Sequence, residues 1–383
     1  MPDDLQGSNA DELQRRFDGE RDAARKFALG LALGDALSAQ GKRDRALDAL
    51  RQALALAPTG LDRGRALVRL GDIHGKKSDY EAAISDLEQA VVELSGQPDS
   101  LELMDAYLRI ATIYWRQGYL ERTRSFLDGA RLVMQLRRGD GGPAAERARA
   151  ELLHVEAIVA GATGDPEGAI KSYTEEIALL EPLGDTAKLG TVYNNLSGLL
   201  KARGQLALAL AHQLRALDIA ERAGEPLAVA IACNNLGEIY FQLGRQDQAL
   251  PYYRLYLDLN KKIANRIGDS FGHAGLGRIM QSRGEYEKAE REFATALAVA
   301  REVKSRGREA AVLADLADLY CDWGRPDRAV AALDESIAIC IEIQLFNTQR
   351  HQLINARVLF LEAAQLKGPQ RAGKLGKARA ILD

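Results

Sequence analysis

Residues 234–242, with the sequence NNLGEIYFQ, carry the pattern that decides the fold. The apolar side chains of Leu236, Ile239 and Tyr240 recur at the i, i+3 and i+4 spacing of one helical face. Gly244 follows, and glycine tolerates the left-handed backbone conformation that ends many helices. The stretch therefore predicts an amphipathic helix that buries one side and stops at Gly244.

This helix belongs to a unit that repeats every 40 residues. A second helical pattern follows it, from Ala249 through Tyr253 to Tyr256. Three sets of identical residues recur at the same step: Gly204, Gly244, Gly284 and Gly324; Leu196, Leu236, Leu276 and Leu316; Ala209, Ala249, Ala289 and Ala329. A fixed period in this range means that each unit buries its apolar face only by stacking on its neighbours. The sequence therefore predicts a tandem array of antiparallel helix pairs.

The unit resembles the tetratricopeptide repeat (TPR), with the pattern W-x2-L-G-x2-Y, then G, then A-x3-F-x2-A. The matching residues are Leu236-Gly237, Tyr240, Gly244, Ala249 and Tyr253, and then Leu276-Gly277, Met280, Gly284, Ala289, Phe293 and Ala296. The Trp of the pattern is replaced by Tyr193, Cys233, His273 and Leu313. The long period is similar to that of kinesin light chains and Pins-type adaptors. The resemblance implies an all-α, right-handed superhelical solenoid of antiparallel helix pairs, with about eight repeats plus terminal helices.

The repeat pattern divides the 383-residue chain into five segments. They are a lead or capping segment (1–26), repeats 1–3 (27–136), a glycine-rich connection (137–147), repeats 4–8 (148–345) and a C-terminal partial repeat or cap (346–383). In the fourth repeat, Glu156 stands where neighbouring repeats have leucine. Either the register shifts by one residue there or a carboxylate is partly buried.

The composition favours a cytoplasmic protein without membrane insertion. The net charge of −3 gives no general attraction to nucleic acid or to an anionic membrane. The first residues are acidic and polar, unlike a signal peptide, and the sequence contains no apolar run long enough to span a bilayer. The three cysteines are too scattered for a disulfide framework.

The sequence shows no pattern typical of an enzyme. The five histidines lie in different units, and none has the spacing of a metal-binding motif. Residues 368–374 have the G-x4-G-K skeleton of a phosphate-binding loop, but Leu375 replaces the required Ser or Thr. We therefore expect no catalytic residue, no cofactor and no metal site.

The resemblance implies that the first helix of each repeat lines a concave groove that binds a peptide. The groove positions are occupied by Asn195, Asn235, Asn194, Asn234, Glu238, Arg278, Lys201, Arg69, Arg109 and Asp315. The two Asn-Asn pairs are the strongest indication of a binding site. Asparagine is a poor residue for a helix interior, so its repetition at equivalent positions suggests a role other than helix formation. Its amide offers both donors and an acceptor, which suits contact with a peptide backbone. Alternatively, Asn194 and Asn234 bond between repeats while only Asn195 and Asn235 face the groove.

These features favour a non-catalytic protein–protein interaction scaffold that binds a partner peptide or helix. The alternative is a peptide- or ligand-responsive regulatory module of a signalling or transcription protein, with its output domain outside this chain. An RNA-binding helical repeat is disfavoured by the acidic balance of the sequence.

Overall fold

A computed structural model of the chain describes residues 9–137, 142–345 and 349–382, and every secondary-structure element in these ranges is an α-helix. The first nine are α1 (Ala10–Gly19), α2 (Ala23–Ala39), α3 (Arg43–Leu56), α4 (Gly60–Lys76), α5 (Tyr80–Leu94), α6 (Leu101–Arg116), α7 (Leu120–Leu136), α8 (Pro143–Ala162) and α9 (Pro166–Leu183). The others are α10 (Thr186–Ala202), α11 (Leu206–Ala223), α12 (Pro226–Gln242), α13 (Gln246–Lys262), α14 (Arg266–Ser282), α15 (Tyr286–Glu302), α16 (Arg306–Asp322), α17 (Pro326–Glu342), α18 (Gln349–Ala364) and α19 (Gly368–Leu382). The predicted all-α class is confirmed, whereas the segments predicted at 1–26, 137–147 and 346–383 lie partly outside the described residues.

The chain forms two compact units, of which unit 1 ends at Thr186. In unit 1, consecutive helices pack as the pairs α2/α3, α4/α5, α6/α7 and α8/α9. Helix α1 packs on α2 and buries Leu13 and Phe17. An apolar helix side at the start of a stack is thus covered, as a terminal repeat requires.

Unit 2 begins at Ala187 and continues the pairing with α12/α13, α14/α15, α16/α17 and α18/α19. Helices α10 and α11 are joined by a hydrogen bond of 2.8 Å from the Ser197 hydroxyl to the Ala209 carbonyl. Each first helix of the four regular repeats is followed by a glycine with φ between 70° and 73°, namely Gly204, Gly244, Gly284 and Gly324. This is the left-handed region, so the prediction that these glycines end the helices is confirmed.

Small residues let the two helices of a pair approach closely. A Cβ on Gly237 would lie 2.9 Å from the Tyr253 ring, and one on Gly277 would lie 2.8 Å from Phe293. Both rings are fully buried. The L-G step of the repeat therefore provides the space that the aromatic ring of the second helix fills.

In the fourth repeat, the Glu156 carboxylate lies at the boundary between α7 and α8. It accepts a hydrogen bond of 2.7 Å from Arg131 Nε, and its side chain is 17% exposed. Its neighbours Val155 and Ala157 are the buried residues of this turn. A partly buried, ion-paired carboxylate thus occupies the position.

Candidate peptide-binding surface

The first helices of unit 2 form a continuous surface. Helix α12 contacts α14, α14 contacts α16, and α16 contacts α18 directly. We call the surface that α10, α12, α14, α16 and α18 form the first-helix face. It carries eight of the ten side chains that the sequence singles out, and Arg69 and Arg109 belong to unit 1.

The four asparagines of this face have two different environments. The Asn194 Oδ1 atom accepts hydrogen bonds from Asn235 Nδ2 at 2.9 Å and from Gln213 Nε2 at 3.2 Å. Asn194 and Asn235 thus join α10 to α12. Asn195 and Asn234 are partly exposed, and their amides make no hydrogen bond to any described residue. These two amides are free to meet a ligand.

Glu238 and Arg278 form a two-pronged ion pair between α12 and α14. The Arg278 Nη1 and Nη2 atoms donate to the two carboxylate oxygens at 3.1 and 2.8 Å. Burial raises the pKa of Glu238, but Arg278 and the nearby Lys201 outweigh burial and hold that pKa below its usual value. The ion pair links neighbouring repeats, because each charge lies against its opposite on the adjacent first helix.

Three more of the predicted charged residues, Asp315, Arg69 and Arg109, form ion pairs between repeats. Asp315 accepts a hydrogen bond of 2.6 Å from Arg350 on the next first helix. In unit 1, Arg69 donates to both oxygens of Asp35 at 3.1 Å, and Arg109 pairs with Asp72. Each of these pairs links successive repeats. These charges therefore stabilise the packing of one repeat on the next.

Apolar side chains cross the N-terminal halves of the first helices. Ile231 and Phe271 are 44% and 41% exposed and occupy the same position of successive repeats, where α10 has Thr191. Leu227, one turn before Ile231, is also exposed. We call Thr191, Leu227, Ile231 and Phe271 the apolar track.

A pocket of about 200 Å³ opens at the start of this track, between α10, α11 and α12. Its walls are mostly small and apolar, and they include Ala187, Gly190, Ala216, Ala220, Ala228 and Ile231. Asn194 and Glu225 lie at the pocket as well. The scarcity of large side chains leaves room for one from a ligand.

Arg308 closes the other end of the track. Its guanidinium lies 4.1 Å from the centroid of the Phe271 ring and donates to the Ser270 hydroxyl and carbonyl at 3.0 and 2.9 Å. Burial lowers the pKa of Arg308 to about 10; attraction to Asp315 opposes this shift, and repulsion from Arg278 and Arg350 adds to it. The side chain is still protonated at neutral pH, and it is held in place by an aromatic face and neutral oxygens.

The described residues carry little sign of catalytic chemistry. They include no group of three or more His, Cys, Asp and Glu side chains arranged to hold a metal ion. Burial raises the pKa of the Cys233 and Cys321 thiols to about 11, so they stay protonated and poorly nucleophilic at neutral pH. Among the described helices, none has both the length and the apolar character that crossing a bilayer requires.

Two family models described as tetratricopeptide repeat match the sequence, one over residues 188–262 and 271–342 and the other over residues 31–98. Together these ranges cover more than half of the chain. The chain belongs to the tetratricopeptide repeat family. The TPR resemblance inferred from the L-G, Gly and Ala positions is thus confirmed. TPR arrays use extended surfaces for binding, so the chain is a protein-interaction or regulatory module.

The fold of this TPR chain is similar to those of solved proteins. One is a signal transduction ATPase with numerous domains and a tetratricopeptide repeat sensor from Pyrococcus horikoshii, with a TM-score of 0.64 and 17% identity. The similarity covers 96% of this chain and 54% of that chain, so the present chain spans about half the length of the Pyrococcus protein.

Two bacterial proteins show a similar fold over most of their length. The quorum sensor NprR from B. thuringiensis has a TM-score of 0.61 and 14% identity over 86% of this chain and 91% of its own. Aspartyl phosphate phosphatase F from Bacillus subtilis has a TM-score of 0.58 and 14% identity over 88% and 90%. At such identities the similarity shows the TPR fold alone, and no curated protein has a matching sequence.

The TPR surface also contains features outside the ten side chains predicted from the sequence. Arg308, Ile231 and Phe271 were not among the predicted groove residues. A signal was present, because residues 231 and 271 are 40 positions apart and both lie off the buried helical face. An apolar side chain repeated on the polar side of an amphipathic helix indicates a contact surface.

Proposed function

We propose that this TPR chain is a protein-interaction module that binds an extended segment of a partner protein along the first-helix face of unit 2. The observation that carries this proposal is the pair of unbonded amides, Asn195 and Asn234, on adjacent first helices. An amide side chain both donates and accepts, as a peptide group does. Two such groups on adjacent first helices can each bond a peptide group of an extended segment, whatever the side chains of that segment.

The remaining predicted residues support the same role indirectly. Asn194 and Asn235 bond to each other, and Glu238 bonds to Arg278, so these pairs hold the spacing of α10, α12 and α14. A surface whose spacing is fixed before binding loses less entropy when a ligand binds. We therefore assign Asn195 and Asn234 to ligand contact, and the paired residues to positioning.

The test is a selection from a displayed random dodecapeptide library on the full chain. Peptides that bind the wild type should lose about tenfold or more in affinity for the Asn195→Ala/Asn234→Ala variant, because two hydrogen bonds are lost. The matched control is Gln205→Ala/Gln248→Ala, which removes two exposed amides outside the first-helix face. Equal affinity for wild type and the asparagine variant would refute the proposal.

A second role for the same surface is a ligand-responsive regulatory module, comparable to the tetratricopeptide repeat sensor of the Pyrococcus protein. The binding step is the same in both roles. They differ in whether the bound segment changes the shape of the array, which X-ray scattering detects as a change in radius of gyration on saturation with a selected peptide. An unchanged scattering curve supports a scaffold.

A further inference from the structure

The charges of the first-helix face are unevenly compensated. Six arginines lie on the described first helices of unit 2: Arg266, Arg278, Arg306, Arg308, Arg350 and Arg357. Five of them form ion pairs with carboxylates. Arg308 alone among these six has no ion pair, and its Nη1 atom makes no hydrogen bond to any described residue. One of the six arginines thus has no carboxylate bonded to its guanidinium.

The charge of Asp315 attracts Arg308, but the two side chains form no ion pair. Asp315 is engaged by Arg350, and Asp318 and Asp322 both face Arg357 in the C-terminal half of α16. Arg308 lies at the other end of that helix, beside the exposed Phe271 ring. An arginine fixed by an aromatic face and two neutral oxygens presents its free edge to a ligand carboxylate.

The pocket at the other end of the apolar track has the size of one aliphatic side chain. A cavity of about 150 Å³ lined by apolar groups holds a benzene molecule, so about 200 Å³ accommodates a leucine or isoleucine side chain. Ile231, Leu227 and Phe271 provide apolar surface between the pocket and Arg308. The track is thus apolar at one end and cationic at the other.

We propose that the partner segment places an aliphatic side chain in the α10–α12 pocket and an acidic side chain on Arg308. Contacting first helices lie about 8–10 Å apart, so two steps from α12 to α16 span roughly 20 Å. An extended chain advances about 3.3 Å per residue, so the two side chains are about six residues apart. This inference rests on the proposed function, because it specifies the ligand of the same face.

The first test uses the peptides selected on the wild-type chain. They should be enriched in an aliphatic residue and an acidic residue separated by about five to seven positions. Fluorescence anisotropy with a labelled selected peptide should show about tenfold or greater loss for Arg308→Glu. The control Arg291→Glu introduces the same charge change on an exposed part of α15 and should bind as the wild type does.

A charge exchange separates recognition from damage to the fold. A peptide with its acidic residue changed to lysine should bind Arg308→Glu more tightly than the parent peptide does. A variant that had merely lost its fold would bind neither peptide. Loss of affinity without this rescue, or an equal loss in Arg291→Glu, would overturn the assignment of Arg308.

The pocket is tested by filling it. Ala228→Leu places a larger side chain in its wall and should weaken binding about 10- to 100-fold, whereas Ala294→Leu on the exposed side of α15 should have no effect. Changing the aliphatic residue of the peptide to alanine should weaken binding to the wild type but cause no further loss with Ala228→Leu. If the losses of affinity from Ala228→Leu and from the peptide substitution add, the aliphatic side chain of the peptide does not occupy this pocket.

The outcomes distinguish this inference from the proposed function. Peptides that depend on Asn195 and Asn234 but lack the aliphatic–acidic pattern would overturn the inference and leave the proposed function standing. A selection that yields no binding peptide on the wild type would overturn both.

Discussion

At the scale of the residue, the Tyr253 ring packs directly against two glycines. The helices can approach this closely only because those two positions have no side chain. The Tyr253 ring is 1% exposed and lies between Gly237 on its own partner helix and Gly275 on the next first helix. A Cβ on Gly275 would lie 2.4 Å from Cε1 of the ring. One aromatic residue therefore fixes the distance to two helices.

We expect Gly275→Ala to destabilise the protein. The buried ring cannot give way freely, and overpacking of this kind costs about 1–3 kcal/mol, more than the helix gains from alanine. The measurement is the free energy of unfolding in urea. Gly198→Ala is the matched control, because its added Cβ meets nothing within 4 Å, and it should stabilise by about 0.5–1 kcal/mol. A gain in both variants would contradict this packing.

The Glu238–Arg278 pair should make the stability of the folded chain depend on pH in the acidic range. Because the pKa of Glu238 is lower in the folded chain than the usual pKa of a glutamate, the stabilisation is fully present above that usual pKa. It is lost as the pH falls through the lower, folded-state pKa. Melting temperatures measured from pH 6 to pH 3 should therefore fall more steeply for wild type than for Glu238→Gln.

At neutral pH, Glu238→Gln should itself cost about 1–3 kcal/mol, because Arg278 loses a charged partner in a side-chain environment that is only 19–30% exposed. Glu287→Gln, on the exposed side of α15, is the control and should follow the wild-type pH profile. Parallel profiles for wild type and Glu238→Gln would show that the pair contributes nothing to acid sensitivity.

At the scale of the element, the sequence predicts the helix pair but not the hydrogen bonds between neighbouring repeats. The 40-residue step and the apolar spacing are local properties, so Leu236 and Gly244 alone indicated a helix and its end. Bonds between repeats depend on how far one helix is displaced against the next. Asn194 bonds to Asn235, 41 residues away, rather than to its equivalent Asn234. Such an offset of one residue is invisible in a periodic sequence.

The leucine of the L-G step should dominate the stability of a pair. Leu236 is fully buried, and Leu236→Ala should cost about 2–5 kcal/mol through lost burial and the cavity that remains. Leu255→Ala, at a position that is 42% exposed on the adjacent helix, should cost much less. Chemical denaturation of both variants provides the comparison, and similar losses would contradict the assigned core.

At the scale of the whole molecule, the sequence predicts an array but not its division into two units. Gly164 and Gly204 keep the 40-residue step on either side of the boundary after Thr186, so the repeat pattern passes through it unmarked. The division depends on the density of contacts, which arises from many side chains together. The candidate binding face was likewise only half predictable: its amides repeat in sequence, whereas its pocket is formed by three helices.

Because a repeat contacts mainly its neighbours, damage in one unit should remain local. We expect Leu316→Ala to speed amide hydrogen exchange in α15–α17 without changing exchange in α2–α5 of unit 1. Mass spectrometry of the full chain measures both regions in one experiment. A uniform increase over both units would instead indicate that the chain unfolds as a single cooperative body.

Asn194 and Asn235 join α10 to α12 by a hydrogen bond between two neutral amides. The two ends of unit 2 should therefore differ in how strongly salt weakens their contacts. From α12 onward, every bond described between first helices includes a charged group, such as Arg278, Arg308 or Arg350. Mobile counter-ions compete with charged partners and have little effect on an amide–amide hydrogen bond. At high salt concentration, α10 and α12 should therefore keep their spacing, whereas the contacts among α14, α16 and α18 should weaken. Salt should thus destabilise unit 2 from its C-terminal end.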